Sequence, residues 1–159
     1  MNQTTTLIRA AVAADASALC TIYNYYVQHT TVSFEEEPVS AAQMQGRIGA
    51  SGLPWLVFEQ DGAVQGYAYA SPWQSYAVDA SVFVAPDARR QKIGLALYTQ
   101  LIEALRQNGV HSVVGGIAQP NPASVALHVR LGFQKVAHFS EVGRKHGRWI
   151  DVGYWQLLL

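Results

Sequence analysis

Apolar positions along this chain change rhythm from segment to segment, and each rhythm predicts an element. Leu7–Val12 has strand character. Behind it Asp15 stands where a helix N-cap belongs, and Ala18, Leu19, Ile22, Tyr23, Tyr26 and Val27 recur at the spacing of one helix face. Thr30–Phe34 is β-branched and aromatic and runs into the acidic break Glu35-Glu36-Glu37-Pro38. Ser40 and Gln43 form a capping box for a second, short helix ending near Gly49 and Gly52. Trp55–Glu59 and Val64–Ala70 are strands joined by the hairpin dipeptide Asp61-Gly62, and Val78–Val84 is another strand, stopped at Pro86. Ile93, Leu97, Leu101, Ile102 and Leu105 mark the buried face of a helix over Ile93–Arg106. His111–Ile117 reads as a buried strand and Pro122–Leu131 as a helix closed by Gly132. Two strands follow, Phe133–Val142 and Arg148–Leu158, around a turn at Gly143–Gly147. This order predicts an α+β domain, a mixed sheet with helices over it.

At 159 residues the chain has the size of a single domain, 1–159. Apolar residues make up 50% of it and charged residues only 14%, so it can fill a core and does not read as disordered. Eleven basic residues balance eleven acidic ones. With no net charge, nothing global attracts nucleic acid or an acidic membrane, and any anion site must be local. A neutral, fairly apolar chain also favours self-association. The single cysteine, Cys20, excludes an intrachain disulfide framework and a paired-cysteine redox or zinc site, and its apolar helix face predicts a buried thiol. His29, His111, His138 and His146 share no metal-ligand spacing, so no metal is expected. The polar start Met1–Thr6 and the lack of a long apolar run predict neither a signal peptide nor a membrane span, hence a cytoplasmic protein.

The most informative stretch is Val82-Phe83-Val84-Ala85-Pro86-Asp87-Ala88-Arg89-Arg90-Gln91-Lys92-Ile93-Gly94-Leu95-Ala96. A strand ends at Pro86, and a tight basic turn feeds the first turn of a helix. The first N–H groups of a helix lack internal partners and carry partial positive charge. Arg89, Arg90 and Lys92 add charge, and Gly94 lets a ligand approach the backbone, a combination that suits a pyrophosphate. The plainer reading is a solvated basic helix start. Neither a P-loop nor a dinucleotide fingerprint is present.

Arg89-x-x-Lys92-x-Gly94 after Val-Phe-Val resembles the acetyl-CoA motif of GNAT-superfamily N-acetyltransferases, and Asn121-x-x-Ser124-x-x-x-His128-x-x-x-Gly132-Phe133 resembles their second cofactor segment. Cys20-Thr21-Ile22-Tyr23-Asn24, Thr31-Val32-Ser33-Phe34, Pro54-Trp55-Leu56-Val57, Ser71-Pro72-Trp73, Lys145-His146-Gly147-Arg148-Trp149 and Asp151–Leu157 resemble the phosphinothricin N-acetyltransferase family in particular. The resemblance runs from about Ile8 to Leu157. It implies the GNAT (acyl-CoA N-acyltransferase) fold, a mixed, mostly antiparallel twisted sheet of about seven strands flanked by about four helices. It also implies acetyl-CoA as co-substrate, a small amino-acid-like amine as acceptor and a homodimer.

Residue by residue, the resemblance implies that the backbone of Val82, Phe83 and Val84 holds the amide-rich pantetheine arm by strand addition, with a strand N–H near there stabilising the oxyanion. Arg89, Arg90, Gln91, Lys92, Ile93, Gly94, Leu95 and Ala96 would cradle the pyrophosphate, Asn121 would bond the pantetheine region, and Arg130 would lie near the far phosphate. Lys92 replaces a family glycine; its N–H serves only if φ is not forced positive, and retained binding is expected. Asp79, three positions before Val82, occupies the place of the family's glutamate base, although alone it reads as an ordinary strand aspartate. Being intrinsically more acidic, it needs a bridging water or a raised pKa. His128 reads either as a packed core histidine or, by resemblance, as a catalytic or cofactor-orienting group.

Phe34, Glu35, Trp73 and Gln74 are implied to border the acceptor. Only Gln74-Ser75-Tyr76-Ala77-Val78 separates Trp73 from Asp79, a shorter loop than family members carry, and Gln74 stands where they supply a base for the acceptor's acid groups. The Arg144–Arg148 cluster reads as a solvated hairpin tip. Two other readings stay open: transfer to a protein or peptide N-terminus, and a non-catalytic acetyl-CoA-binding module.

Overall fold

The computed structural model describes residues 4–159; Met1–Gln3, which open the polar start read above, lie outside the described residues. β1 (Thr6–Ala10) leads through a 3-10 turn at Ala13–Asp15 into α1 (Ala16–His29), and α2 (Ala41–Arg47) follows. β2 (Trp55–Gln60), β3 (Ala63–Gln74) and β4 (Ala77–Val84) make an antiparallel meander. A second 3-10 turn, Pro86–Ala88, precedes α3 (Ile93–Gln107), after which come β5 (Ser112–Ala118), α4 (Pro122–Arg130), β6 (Gln134–Lys145) and β7 (Arg148–Leu158). The strands form one seven-stranded sheet in the order β1-β2-β3-β4-β5-β7-β6, antiparallel except where β4 meets β5. No helix among the described residues is long and apolar enough to cross a membrane.

The two faces of the sheet follow from strand alternation. Val57, Tyr67 and Phe83 share one face, where Tyr23 and Tyr26 of α1 pack edge-on against Phe83 with ring centroids 5.2 and 5.3 Å away. Gly66, Ala68, Val82 and Val84 share the other, under α3. A side chain at Gly66 would meet Ile93 at 3.2 Å and Leu97 at 3.3 Å, so its absence sets how closely α3 approaches the sheet. Leu97, Leu101 and Leu105 of α3 are wholly buried, each worth about 1.5–3 kcal/mol of apolar burial.

Three local expectations change, and Thr30–Phe34, whose pattern fixed no element, settles as irregular backbone. Asp15 does not cap α1; its carboxylate instead takes the Val12 N–H at 2.8 Å and the Arg9 guanidinium at 2.7 and 2.8 Å, closing the 3-10 turn. Within Thr30–Phe34, Ser33 is tied to the Tyr23 hydroxyl at 2.7 Å. The β6–β7 strands continue through Gly143–Lys145, and only His146 and Gly147 turn, both at positive φ. Lys145 is therefore not at a solvated tip: its side chain is buried and its ammonium donates to the Ser33 carbonyl. The capping box is present as expected, Ser40 Oγ accepting from the Gln43 N–H at 3.1 Å and Gln43 Oε1 from the Ser40 N–H at 2.8 Å.

Candidate active site

β4 and β5 lie side by side only where Ala77–Asp79 face Ser112–Val114. Beyond that point β4 continues to Val84 and β5 to Ala118 without pairing, and the sheet opens. Backbone groups alternate sides along an antiparallel strand. The Ala80 carbonyl accepts from the Tyr98 hydroxyl at 2.7 Å and the Val84 carbonyl from the Tyr26 hydroxyl at 2.6 Å, so both face the opening. Val82, between them, therefore presents its N–H and C=O to the same opening. Phe83 does not: its register partner is Tyr67, and its backbone groups belong to the β3 ladder. Of Val84 only the N–H is left, because Tyr26 takes the carbonyl.

Past the end of β4 the chain makes a cradle of amides. The Ala96 N–H bonds the Lys92 carbonyl at 3.0 Å, the first internal bond of α3, which commits that amide to the helix. The N–H groups of Arg90, Gln91, Lys92, Ile93, Gly94 and Leu95 make no hydrogen bond among the described residues. Arg90 and Lys92 both adopt left-handed backbone, φ +66° and +61°, the geometry that gathers successive amides into an anion-binding nest. Each such non-glycine residue costs about 1–3 kcal/mol, strain that persists at ligand clamps. The expected backbone at Lys92 changes: its φ is positive although it is not glycine, and its N–H stays unpaired in the cradle among the described residues. At Gly94 the Cβ direction points toward Leu127 of α4 at 3.6 Å, Val84 at 3.8 Å and Val82 at 4.0 Å, so the cradle, the open edge of β4 and α4 meet at one spot.

The flanking groups divide. The Arg89 guanidinium lies over the Tyr25 and Tyr26 rings, 5.2 and 5.3 Å from their centroids. Arg90, Gln91, Lys92 and Arg130 are exposed, while Ile93 is a core side chain that offers only its amide. Asn121 caps α4 through Oδ1, which accepts the Ser124 N–H at 3.1 Å; its Nδ2 has no partner among the described residues.

Asp79 is the last β4 residue before the strands part. Burial pushes its carboxyl up to about 6, and the Gly116 amide across the opening partly opposes that rise. It is ionised at neutral pH, yet basic enough to accept a proton. On the same sheet face Ser71 is its register partner, and Ser71 lines a cavity of about 340 Å³ together with Tyr23, Arg47, Trp55, Tyr67 and Tyr69. That volume is in the small-ligand range. Glu35 reaches its rim by an ion pair to Arg47, at 2.8 and 3.2 Å. Trp73 and Gln74 sit at the exposed end of β3, Trp73 edge-on to Tyr154 at 5.7 Å, and Phe34 packs against Gly143 of β6.

His128 is 3% exposed, with both ring nitrogens inside the protein. Nδ1 lies 2.8 Å from the Ser124 carbonyl and Nε2 lies 3.2 Å from the Tyr98 hydroxyl. A carbonyl only accepts, so Nδ1 carries the proton. Burial lowers the ring's pKa, which keeps it neutral at neutral pH. Nε2 is then an acceptor, and the single Tyr98 proton is divided between it and the Ala80 carbonyl.

Comparison with known proteins gives the family. Residues 8–153 match the model of the acetyltransferase (GNAT) domain family. The chain belongs to the GNAT acetyltransferases. The phosphinothricin N-acetyltransferase of Streptomyces viridochromogenes is 39% identical over 156 residues, 94% of this chain and 85% of that one. The L-methionine sulfoximine/L-methionine sulfone acetyltransferase of Salmonella typhimurium is 38% identical over 160 residues, covering 96% and 94%. The structure of yncA from Salmonella typhimurium with its cofactor acetyl-CoA superposes with TM-score 0.94 at 37% identity, over 97% of this chain and 94% of that one.

Within this GNAT fold, Asp79, Val82 and the Arg90–Leu95 amides, far apart in sequence, converge at the opening, and α4, which Asn121 caps, approaches the cradle through Leu127. His128 stands behind them, not in the cleft. Tyr98 and Arg47 escaped the sequence reading. Tyr98 follows Leu97 on the buried face of α3, where its hydroxyl was the signal, a polar atom that needs a partner once buried. Nothing local marks Arg47, which closes a short helix like any C-terminal arginine.

Proposed function

We propose that this GNAT enzyme transfers acetyl from acetyl-CoA to the primary amine of a small amino-acid-like acceptor, in a ternary complex, with Asp79 taking the proton. The carrying observation is the juxtaposition of the opening between β4 and β5, and the amides left unpaired among the described residues past the end of β4, with the half-buried carboxyl of Asp79 at the base of the opening. The fit to the coenzyme is chemical. A diphosphate matches the six unpaired N–H groups from Arg90 to Leu95, and an amide-bearing arm matches the Val82 edge. Bound acetyl-CoA supplies a thioester carbonyl for the amine to attack and a thiol to leave.

The chain's own groups do the rest. Asp79 receives the ammonium of the acceptor and withdraws its proton, directly or through a water. The Val82 N–H, aimed at the opening, supports the thioester oxygen as it gains charge. His128 acts as a positioning residue: it steadies Tyr98, and Tyr98 holds the Ala80 carbonyl beside Asp79. The names of the relatives, acting on phosphinothricin and on methionine sulfoximine or sulfone, support an amino-acid-like acceptor. The cavity beside Asp79, sized for a small ligand, favours it over a peptide N-terminus.

A homodimer belongs to this reading. Val136, Phe139 and Val142 remain 52–58% exposed along the outer strand β6, apolar side chains that a second copy would cover. Cytoplasmic location belongs to it too. Purified protein with acetyl-CoA and a panel of amino acids, phosphinothricin and methionine sulfoximine releases free thiol in step with acetylated amine, and sediments as a dimer. Tight acetyl-CoA binding without thiol release on any amine would identify a non-catalytic binding module, and release with peptides alone would move the acceptor to protein N-termini.

A further inference from the structure

The cavity beside Asp79 has an uneven charge. Among its lining residues Arg47 alone is charged, and the strands that floor it carry no cation, since no Lys or Arg occurs from Ile48 to Ala88. The turn between β3 and β4 is reduced to Ser75 and Tyr76, so nothing basic reaches over from that side either. The remaining wall is aromatic. Trp55 and Tyr69 stack with centroids 4.2 Å apart, and Tyr67 lies in near-parallel continuation, 6.1 Å from each. Arg47 itself is held in place: Glu35 grips it from one side, and its guanidinium lies 5.7 Å from the centre of the Tyr23 ring. The two bonds to Glu35 use two of five N–H donors, leaving the rest for a second acceptor. Ser71, the register partner of Asp79, lines the same cavity as Tyr69 and Arg47, so the carboxyl and the guanidinium border one space.

We infer that Arg47 is the receptor for the acceptor's carboxylate, and that the preferred acceptors are amino acids with one carboxylate and an apolar side chain. This rests on the proposed acetyl transfer at Asp79 and goes beyond it by fixing the acceptor class. The charge count decides the class. The amine goes to Asp79, the carboxylate to Arg47, and the side chain to the stacked rings of Trp55 and Tyr69. A second anion on the acceptor, as in glutamate or phosphinothricin, finds no further cation in the lining. Methionine and phenylalanine fit instead, by sulfur–aromatic and ring-stacking contacts.

The test compares acceptors in pairs on the intact enzyme and on Arg47→Gln: methionine against 3-(methylthio)propylamine, and phenylalanine against phenethylamine, each pair differing by the carboxylate. On the intact enzyme methionine and phenylalanine give higher kcat/KM than phosphinothricin and glutamate. In Arg47→Gln the KM for both amino acids rises roughly ten- to hundredfold, the range of a lost charge-assisted contact, while KM for the carboxylate-free amines and kcat hold steady. A parallel rise for amines and amino acids, or no rise, overturns the assignment of Arg47 and leaves the acetyltransferase reading intact. A preference for phosphinothricin overturns the apolar class. If no amine is acetylated, the acetyltransferase reading falls, and this inference with it.

Discussion

Asp79→Asn lowers kcat/KM for the amine by about 10²–10⁴-fold, the usual contribution of a positioned base, and at the same time makes the protein more stable. Both effects have one cause, a carboxyl raised by burial from 3.8 to about 6. Below about pH 4 the group is protonated whether the chain is folded or not, and it carries no penalty. Between about 4 and 6 the unfolded chain ionises first, so stability is lost as pH rises through this window. Above 6 the full penalty remains, at most about 3 kcal/mol for a shift of this size. Asparagine never ionises and still offers an oxygen to the Gly116 amide. The variant therefore melts higher than the parent at pH 8, and the difference closes below pH 4. In the parent, kcat/KM falls as pH drops through about 6, and in the variant that step is absent. Unchanged transfer at neutral pH, or a variant that melts lower at pH 8, removes Asp79 from the role of base.

The second large effect concerns the support behind the cleft. Gly115 on β5 lies against the His128 ring so closely that an added Cβ would stand 2.4 Å from Nε2 and 2.8 Å from Cδ2. The ring has nowhere to go, because it is buried against Tyr98 and Phe133 with centroids 5.2 and 5.0 Å away. Gly115→Ala must displace it and break its bonds to Ser124 and Tyr98. The expected cost is about 2–4 kcal/mol, combining overpacking with a disrupted buried network. For a chain of this size that lowers Tm by roughly 5–15 °C. In a His128→Ala background the ring is gone, and the same glycine change costs far less. Thermal melts of the two single variants and the double variant give the coupling directly. Equal losses with and without the imidazole would show that some other contact controls Gly115.

The sequence carried the architecture because the elements obey local rules. The Ser40–Gln43 capping box, the Asp61-Gly62 hairpin and the apolar face of α3 are each decided within a few residues. Chemistry at the strand-to-helix corner was legible for the same reason, since Arg89-x-x-Lys92-x-Gly94 is contiguous. Missing was what only the folded chain decides. No side chain announces that Arg90 and Lys92 turn left-handed. Lys145 looks like a solvated cation until β6 carries it against Ser33, which follows a different helix. Asp15 looks like a cap until Arg9 of β1 claims its carboxylate. The backbone of Phe83 looks available until register with Tyr67 assigns it to the ladder, leaving Val82 as the open residue. Arg47 gains its meaning only from the rings of β2 and β3 beneath it.

Everything proposed for the reaction depends on main-chain amides gripping the coenzyme at the start of α3 and along β4. Amide hydrogen exchange with and without saturating acetyl-CoA reads that grip residue by residue. The account predicts that Arg90 to Leu95, without partners among the described residues, become strongly protected together with Val82, while the outer strand β6 exchanges as before. If those amides keep exchanging freely while the coenzyme is bound, the grip lies elsewhere and this assignment of the cleft is wrong.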